Sequence, residues 1–225
     1  HFEEYFENPQ RIFIEKTYRN PQELIDIAGS FIMKNPKQIR KSLKSPKNLK
    51  KPVKIIYPQK NPIEKREMIY NLIKDLSKKS EDVLILGRTN NNINQFIKHR
   101  NLVKKGNLKK DKFLRILDKT DKSMNNVYYR TLHSSKGLEA DNVIIINMVD
   151  DYLGFPSKLK THSVLNYVNT RNYDYKYSEE RRLFYVGLTR SKNNVYLISD
   201  KNNPSEFIEE LMDDSLENLE IIEYN

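Results

Sequence analysis

The sequence predicts an α/β domain in which helices flank a mostly parallel β-sheet. Short apolar runs alternate along the chain with segments of helical periodicity, and this alternation is typical of parallel α/β folds. Each apolar run is continuous, as expected of a strand that is buried on both faces. The chain has 225 residues, of which 37% are hydrophobic, and this is enough for the core of one large domain.

Five apolar runs are predicted strands. They are Arg11–Ile14, Val53–Tyr57, Val83–Leu86, Val143–Ile146 and Val195–Ile198.

Three helices are predicted from a repeated start signal, an Asn-Pro pair followed by Glu. It occurs at Asn20–Glu23, Asn61–Glu64 and Asn203–Glu206, and apolar residues at helical spacing follow each time. Asn is a common N-cap, Pro suits the first helical position, and Glu two residues after that Pro closes a capping box.

Three connections between these elements stand out. The basic stretch 34–51 is predicted to be a surface loop, 98–125 to be short helices or a loop, and 150–178 to be a long irregular connection. Long connections in a compact α/β domain often carry function.

Composition excludes several classes of protein. The absence of Cys excludes disulfides, thiolate zinc sites and a cysteine nucleophile. No run of about 18 apolar residues predicts a transmembrane helix. The first residues, His1–Glu4, do not resemble a signal peptide, so we expect a cytoplasmic protein.

The charge is unevenly distributed. The formal net charge is +10, and residues 200–225 carry nine acids and one Lys, so residues 1–199 carry +18. Nine Lys or Arg and no acid lie in 34–54, and ten Lys or Arg against three Asp lie in 98–122. These stretches indicate either a nucleic-acid partner or a surface that serves only solubility.

Two motifs carry the chemistry. In Ser178–Arg190, two acids open a helix and a Thr-Arg pair ends it, which places an Arg where it can meet a phosphate; the alternative is an exposed ladder of ion pairs along Glu179–Arg182. In Thr131–Glu139, hydroxyls, backbone N–H groups and one Lys form the donor set of a phosphate cradle. The Gly-x-x-x-x-Gly-Lys-Ser/Thr loop that grips a triphosphate is absent from the sequence.

In their order, these motifs resemble the second, C-terminal RecA-like domain of superfamily 1 DNA helicases of the UvrD/Rep type. Lys16–Asn20 resembles motif IV, Leu86–Asn90 motif IVa, Thr131–Glu139 motif V and Glu179–Arg190 motif VI. The resemblance covers essentially all of residues 1–225 as one domain. Only about 40 residues separate IVa from V, too few for a large accessory-domain insertion, and this points to the helicase IV branch.

The resemblance implies a nucleotide site. Arg190 and Arg19 match the arginines that reach the γ-phosphate of ATP, where a planar guanidinium stabilises developing charge. Tyr18 matches the tyrosine that stacks on adenine, although packing in the core is an equally good interpretation of the sequence.

Motif V adds three residues to that site. Glu139 matches the glutamate that binds the ribose, with a solvated loop carboxylate as the alternative. Lys136 and Gly137 are expected at the phosphates, and Gly137 is expected to adopt a positive φ or to allow close backbone approach.

The resemblance also implies a site for single-stranded DNA. Its residues are Arg88, Thr89, Asn90, His133 and Ser134. Contacts to the phosphates there would fix the register of the strand without reading its sequence.

Two roles for histidine are disfavoured. His133 is a poor candidate for a general base, because the attacking water is handled by the other RecA-like domain of the family. The four histidines (His1, His99, His133 and His162) show no spacing typical of metal ligands.

The leading hypothesis is the C-terminal motor domain of an ATP-dependent DNA helicase, with 3′→5′ polarity implied by the family. Its partners would be single-stranded or duplex DNA and an N-terminal RecA-like domain that holds the phosphate loop and the Mg²⁺ ligands, so this chain alone is expected not to hydrolyse ATP. The rival hypotheses are a non-catalytic nucleic-acid-binding module and an interaction platform built on the acidic residues 200–225.

Overall fold

A computed structural model describes residues 5, 14–39, 42–78, 81–99, 101–106, 114–122, 124, 126–158 and 175–224. Within these residues, eight strands form one sheet. They are β1 (Val53–Tyr57), β2 (Val83–Gly87), β3 (Leu102–Lys105), β4 (Leu114–Asp118), β5 (Val127–Thr131), β6 (Asn142–Met148), β7 (Val195–Ser199) and β8 (Leu219–Glu223).

The sheet is mostly parallel, as predicted. The strand order is β3-β4-β5-β2-β6-β7-β1-β8, and every pair from β5 to β8 is parallel. Among the strands that the structure describes, only β3 and β4 add antiparallel pairs, at one end of the sheet. The predicted RecA-like α/β class is confirmed.

The helices are α1 (Gln22–Met33), α2 (Pro62–Ser77), α3 (Asn92–Phe96), α4 (Ser178–Leu188) and α5 (Glu206–Ser215). One apolar core joins α1, α4 and α5 to one face of the sheet, and a second core joins α2 and α3 to the other face. Alternate residues of a strand enter different cores: in β1, Ile55 belongs to the first and Ile56 to the second. The central strands are therefore buried on both faces.

The capping predictions hold for one helix of three. Asn61 caps α2, its side chain accepting a hydrogen bond from the N–H of Ile63 at 2.9 Å. The prediction for Asn20 is wrong, because Pro21 precedes α1 and no side chain caps it. The prediction for Asn203 is also wrong: Ser205 caps α5, accepting from the N–H of Ile208 at 3.3 Å.

Residues 98–125 were expected to be helical or loop, but β3 and β4 lie there. Both strands carry charged side chains, which protect this end of the sheet from pairing with another chain. The same charges interrupt the apolar sequence, so continuous apolar runs do not predict these two strands. The predicted strand at 11–14 lies almost wholly outside the described residues, as do 159–174 of the long connection. The part of 34–51 that the structure describes contains neither a helix nor a strand of the sheet, as predicted for a loop.

The acidic segment 200–225 contributes to the fold. It supplies α5, which packs in the first core, and the edge strand β8. Among the described residues, no helix combines the length and the apolar character needed to cross a membrane.

Candidate nucleotide and nucleic-acid sites

The predicted site residues gather at opposite edges of the parallel sheet. Arg88 follows the carboxyl end of β2 and His133 follows that of the neighbouring β5. Glu139 and Arg190 instead lie just before β6 and β7, at the amino edge. We call these sets the carboxyl-edge cluster (Arg88, Thr89, Asn90, His133, Ser134) and the amino-edge cluster (Tyr18, Arg19, Lys136, Gly137, Glu139, Arg190).

Arg190 is half-buried and fixed by neutral oxygens. Its Nε donates to the carbonyl of Val186 at 3.0 Å, and Nη1 donates to the carbonyl of Leu138 at 3.1 Å. Nη2 lies 3.4 Å from the hydroxyl of Thr189. Burial and then the positive charge of Arg19 lower the pKa of Arg190 from its ordinary value. The side chain is thus pre-oriented, and its charge is not neutralised by a direct carboxylate partner among the described residues.

Glu139 links the other cations of this edge. Its carboxylate accepts from Arg19 Nε at 2.8 Å, and its second oxygen lies 3.3 Å from Lys192 Nζ. The hydrogen bond from Lys192, followed by that from Arg19, lowers the pKa of Glu139. Two cations therefore contact the carboxylate of Glu139, and the nearby Arg190 adds a third positive charge to this edge.

Backbone pairing holds these segments together. Ala140 and Ser191 form a parallel bridge, in which the N–H of Ala140 donates to the carbonyl of Arg190 at 3.1 Å. The buried amide of Asn20 donates to the carbonyls of Thr189 at 3.2 Å and Ser191 at 2.6 Å. Asn20 therefore docks the segment of Arg19 onto that of Arg190, which explains why it does not cap α1.

Gly137 has a φ of +83°, as predicted, and an added Cβ would meet no atom within 4 Å. The backbone conformation, not close approach, therefore requires glycine here. Lys136 beside it is exposed. Tyr18 is 69% exposed, so the alternative that it packs in the core is wrong; Lys16 Nζ lies 5.1 Å from its ring centroid.

The carboxyl-edge cluster is organised by a buried carboxylate. Glu180, at the start of α4, accepts from Arg88 Nε at 2.9 Å and from Arg88 Nη2 at 2.7 Å. It also accepts from the N–H of Ser157 at 3.0 Å. Arg88 Nη1 lies 3.4 Å from His133 Nδ1, and burial followed by the Arg88 charge lowers the pKa of His133.

The remaining members of this cluster are polar groups at strand ends. The Thr89 N–H donates to Asn92 Oδ1 at 2.7 Å, and the Thr131 hydroxyl donates to Ser134 Oγ at 3.1 Å. Asn90 and Ser134 are exposed. Donors and acceptors thus line the edge next to Arg88.

Comparisons with known proteins find similar domains in DNA helicases. Residues 98–202 match the UvrD-like helicase C-terminal domain family. DNA helicase IV of Escherichia coli (strain K12) is 28% identical over 208 residues, which cover 92% of this chain and 27% of that protein. ATP-dependent DNA helicase PcrA of Bacillus subtilis (strain 168) is 33% identical over 99 residues, 40% of this chain and 12% of that protein.

A solved structure agrees as well. The C-terminal domain of a possible DNA helicase from Lactobacillus plantarum WCFS1 aligns with a TM-score of 0.53 at 13% identity, covering 93% of this chain and 99% of that one. The predicted resemblance to UvrD-like helicases is confirmed. The chain spans about a quarter or less of the length of these curated relatives.

Sequence reasoning missed three residues that build the two clusters. Asn20 is predicted only as a cap, Lys192 is not singled out, and Glu180 is predicted only as an acid at the helix start or in an exposed ladder. Glu180 and Arg181 are buried and bind Arg88 and Glu210, so the ladder interpretation of motif VI is wrong for both. The partners of Glu180 and Arg181 lie far away in sequence, so no local pattern identifies them.

No metal site is evident in the part of the chain that the structure describes. That part holds no group of three His, Asp or Glu side chains able to bind an ion. His99 lies 3.0 Å from a Glu67 oxygen, and His133 lies beside Arg88.

Proposed function

We propose that this domain is the C-terminal motor domain of an ATP-dependent DNA helicase. The observation that carries the proposal is the amino-edge cluster, in which Arg19, bonded to Glu139, lies close enough to Arg190, 171 residues away in sequence, for the two charges to interact. An unneutralised, pre-oriented guanidinium is suited to phosphate oxygens, which it binds bidentately.

The donor set of this cluster fits a nucleoside triphosphate. Arg190, Arg19 and Lys136 would face the phosphates, the exposed ring of Tyr18 would stack on adenine, and Glu139 would accept from the ribose. Negative charge that develops on the γ-phosphoryl oxygens during hydrolysis would be stabilised by the two guanidinium groups, since such fingers contribute about 10³–10⁵ in rate. The phosphate loop and the Mg²⁺ ligands would come from a partner RecA-like domain.

The carboxyl-edge cluster would bind the single strand. Arg88 uses three of its five N–H donors on Glu180 and His133, which leaves two for a phosphate. Ser134, Asn90 and Thr89 offer further donors to the strand. The segment 131–141 and helix α4 both run from this edge to the amino edge, and this would couple strand binding to ATP.

Nucleotide-dependent strand binding tests the proposal. The affinity of the full-length protein for labelled oligo(dT) would be measured by fluorescence anisotropy, with and without a non-hydrolysable ATP analogue. We expect the analogue to change the affinity several-fold, and the 225-residue chain alone to show no ATP turnover. Strand binding that ignores the analogue would instead support the non-catalytic module.

A further inference from the structure

A crevice of about 370 Å³ opens at the carboxyl edge of β6 and β7, beside the first turn of α2. Buried strand residues such as Ile146 and Ile198 contribute to its lining. Four cations also line it, and no acidic residue does so among the described residues: Lys60, Lys65, Arg66 and Lys98.

These four side chains are exposed, and within the described residues they form no ion pair or side-chain hydrogen bond. Other exposed lysines behave differently: Lys78 Nζ lies 3.1 Å from Asp75 and Lys176 Nζ lies 2.7 Å from Glu206. A concentration of four uncompensated charges around a concave surface attracts an anion.

The crevice continues the carboxyl-edge cluster. Asn92 lines it, and its side-chain oxygen accepts from the N–H of Thr89 at 2.7 Å. Between the two lies the end of β6, where the register shifts and Asn147 adopts a φ of +64°. This irregularity interrupts the pairing of β6 with β7 at the mouth of the crevice.

Helix α2 separates this crevice from one of opposite charge. A second crevice, of about 590 Å³, is lined by the acids Glu64, Glu67 and Asp75 of the same helix. A polyanion passing over α2 is therefore attracted to one flank and repelled by the other.

We propose that the cationic crevice binds backbone phosphates of single-stranded nucleic acid and extends the strand path from Thr89 across the ends of β6 and β7 to Lys60. The inference rests on the proposed function, which brings a strand to this edge. Lysine side chains act there as point charges on phosphates, so the contact is independent of base sequence.

The test measures the oligo(dT) affinity of the 225-residue chain across a roughly tenfold range of salt concentration, over which counterion release is resolved. The variant is Lys65→Ala with Arg66→Ala, two exposed positions where Ala preserves the helix. Lys78→Ala is the matched control, because it removes one charge from the opposite end of α2. Arg88→Ala tests the carboxyl-edge cluster in parallel.

Each phosphate contact contributes about 0.7 to the slope of log affinity against log salt concentration. When one contact is lost, binding at 0.1 M salt is therefore about fivefold weaker, relative to binding at 1 M salt. We therefore expect the double variant to bind about 25-fold more weakly at 0.1 M salt, and Lys78→Ala to bind like the parent. An unchanged slope in the double variant, with binding lost in Arg88→Ala, would overturn the crevice and leave the proposed function standing. No strand binding by the parent chain would overturn both.

A free anion would bind the same cations of the crevice as a strand phosphate does. Titration of inorganic phosphate by calorimetry separates a free anion from a strand. Saturable phosphate binding that the double variant loses, with strand affinity unchanged, would identify a free-anion site and overturn the strand path.

Discussion

The two edges of the sheet hold their arginines in different ways. At the carboxyl edge, Arg88 is neutralised by the buried carboxylate of Glu180, whose side chain is 9% exposed. At the amino edge, Arg190 is held by the carbonyls of Val186 and Leu138, and among the described residues no carboxylate pairs with it directly. Both guanidinium groups use three donors within the domain, so the difference between them is electrostatic.

This difference indicates that Arg88 and Arg190 have different functional roles. An ion pair inside the domain stabilises its own fold and fixes the geometry of its neighbours. A charge held only by neutral dipoles gains its partner when an anion arrives, and its attraction is then available for binding or for a transition state. The carboxyl edge should therefore be sensitive to mutation in stability, and the amino edge in turnover.

The largest expected effect is at the amino edge. Arg190→Ala in the full-length protein should reduce strand-stimulated ATP turnover about a thousandfold or more, with nucleotide still bound, because a finger of this kind acts on the transition state. Arg190→Lys should not restore it, since a lysine lacks the planar fork.

Arg182→Ala serves as the control, because Arg182 lies on the same motif VI helix with a 44% exposed side chain. It should retain turnover near the parent value. If Arg190→Ala also retains turnover, motif VI is a structural helix here and the two edges do not differ in duty.

The next effect is at the carboxyl edge. Glu180→Gln removes the negative charge of the carboxylate that accepts from Arg88 and from the Ser157 N–H. The partly buried guanidinium of Arg88 is then left without an ionised partner. We expect urea denaturation of the 225-residue chain to show a loss of about 2–4 kcal/mol in the free energy of unfolding. Glu179→Gln, at a 58% exposed side chain, should stay within about 0.5 kcal/mol of the parent.

Arg190→Ala should lower the free energy of unfolding by less than Glu180→Gln does, as its side chain bonds only neutral groups. A larger loss for Arg190→Ala would reverse the assignment of stability and turnover to the two edges.

The central strands and the motif order were predictable because both are local patterns. A run such as Val195–Ile198 is apolar enough to indicate burial on both faces without any knowledge of its neighbours. The positive φ of Gly137 was likewise predictable from a single residue in a polar loop.

What could not be predicted depends on distant partners. Glu180 meets Arg88 across 92 positions, and Asn20 meets Ser191 across 171. Nothing local distinguishes Glu180 from the exposed Glu179 beside it. Likewise, Leu114–Asp118 forms a strand because β5 offers an edge, whereas its own charged pattern indicates a loop.

A smaller effect is expected in the segment that joins the two edges. Gly137→Ala forces an L side chain into the left-handed region and should cost about 1–2 kcal/mol of stability. An added Cβ meets no atom at Gly137 or at Gly29, so steric contact is the same in both. Gly29→Ala, inside α1, should instead stabilise the chain by about 0.5–1 kcal/mol, as measured by thermal unfolding.

The smallest effect concerns His133 and pH. Burial and then Arg88 lower its pKa, so the free domain disfavours protonation of the imidazole. A bound strand phosphate favours the imidazolium and raises the pKa, so proton uptake accompanies binding and oligo(dT) affinity should rise as pH falls from about 7.5 to 5.5. His133→Gln should flatten this rise, whereas His99→Gln should keep it, since His99 pairs with Glu67 and stacks on Tyr70 instead.

The stability of the free chain moves the other way: because the folded pKa of His133 lies below its unfolded value, acid lowers the free energy of unfolding in the same range. A parallel rise in His133→Gln would remove His133 from the strand path.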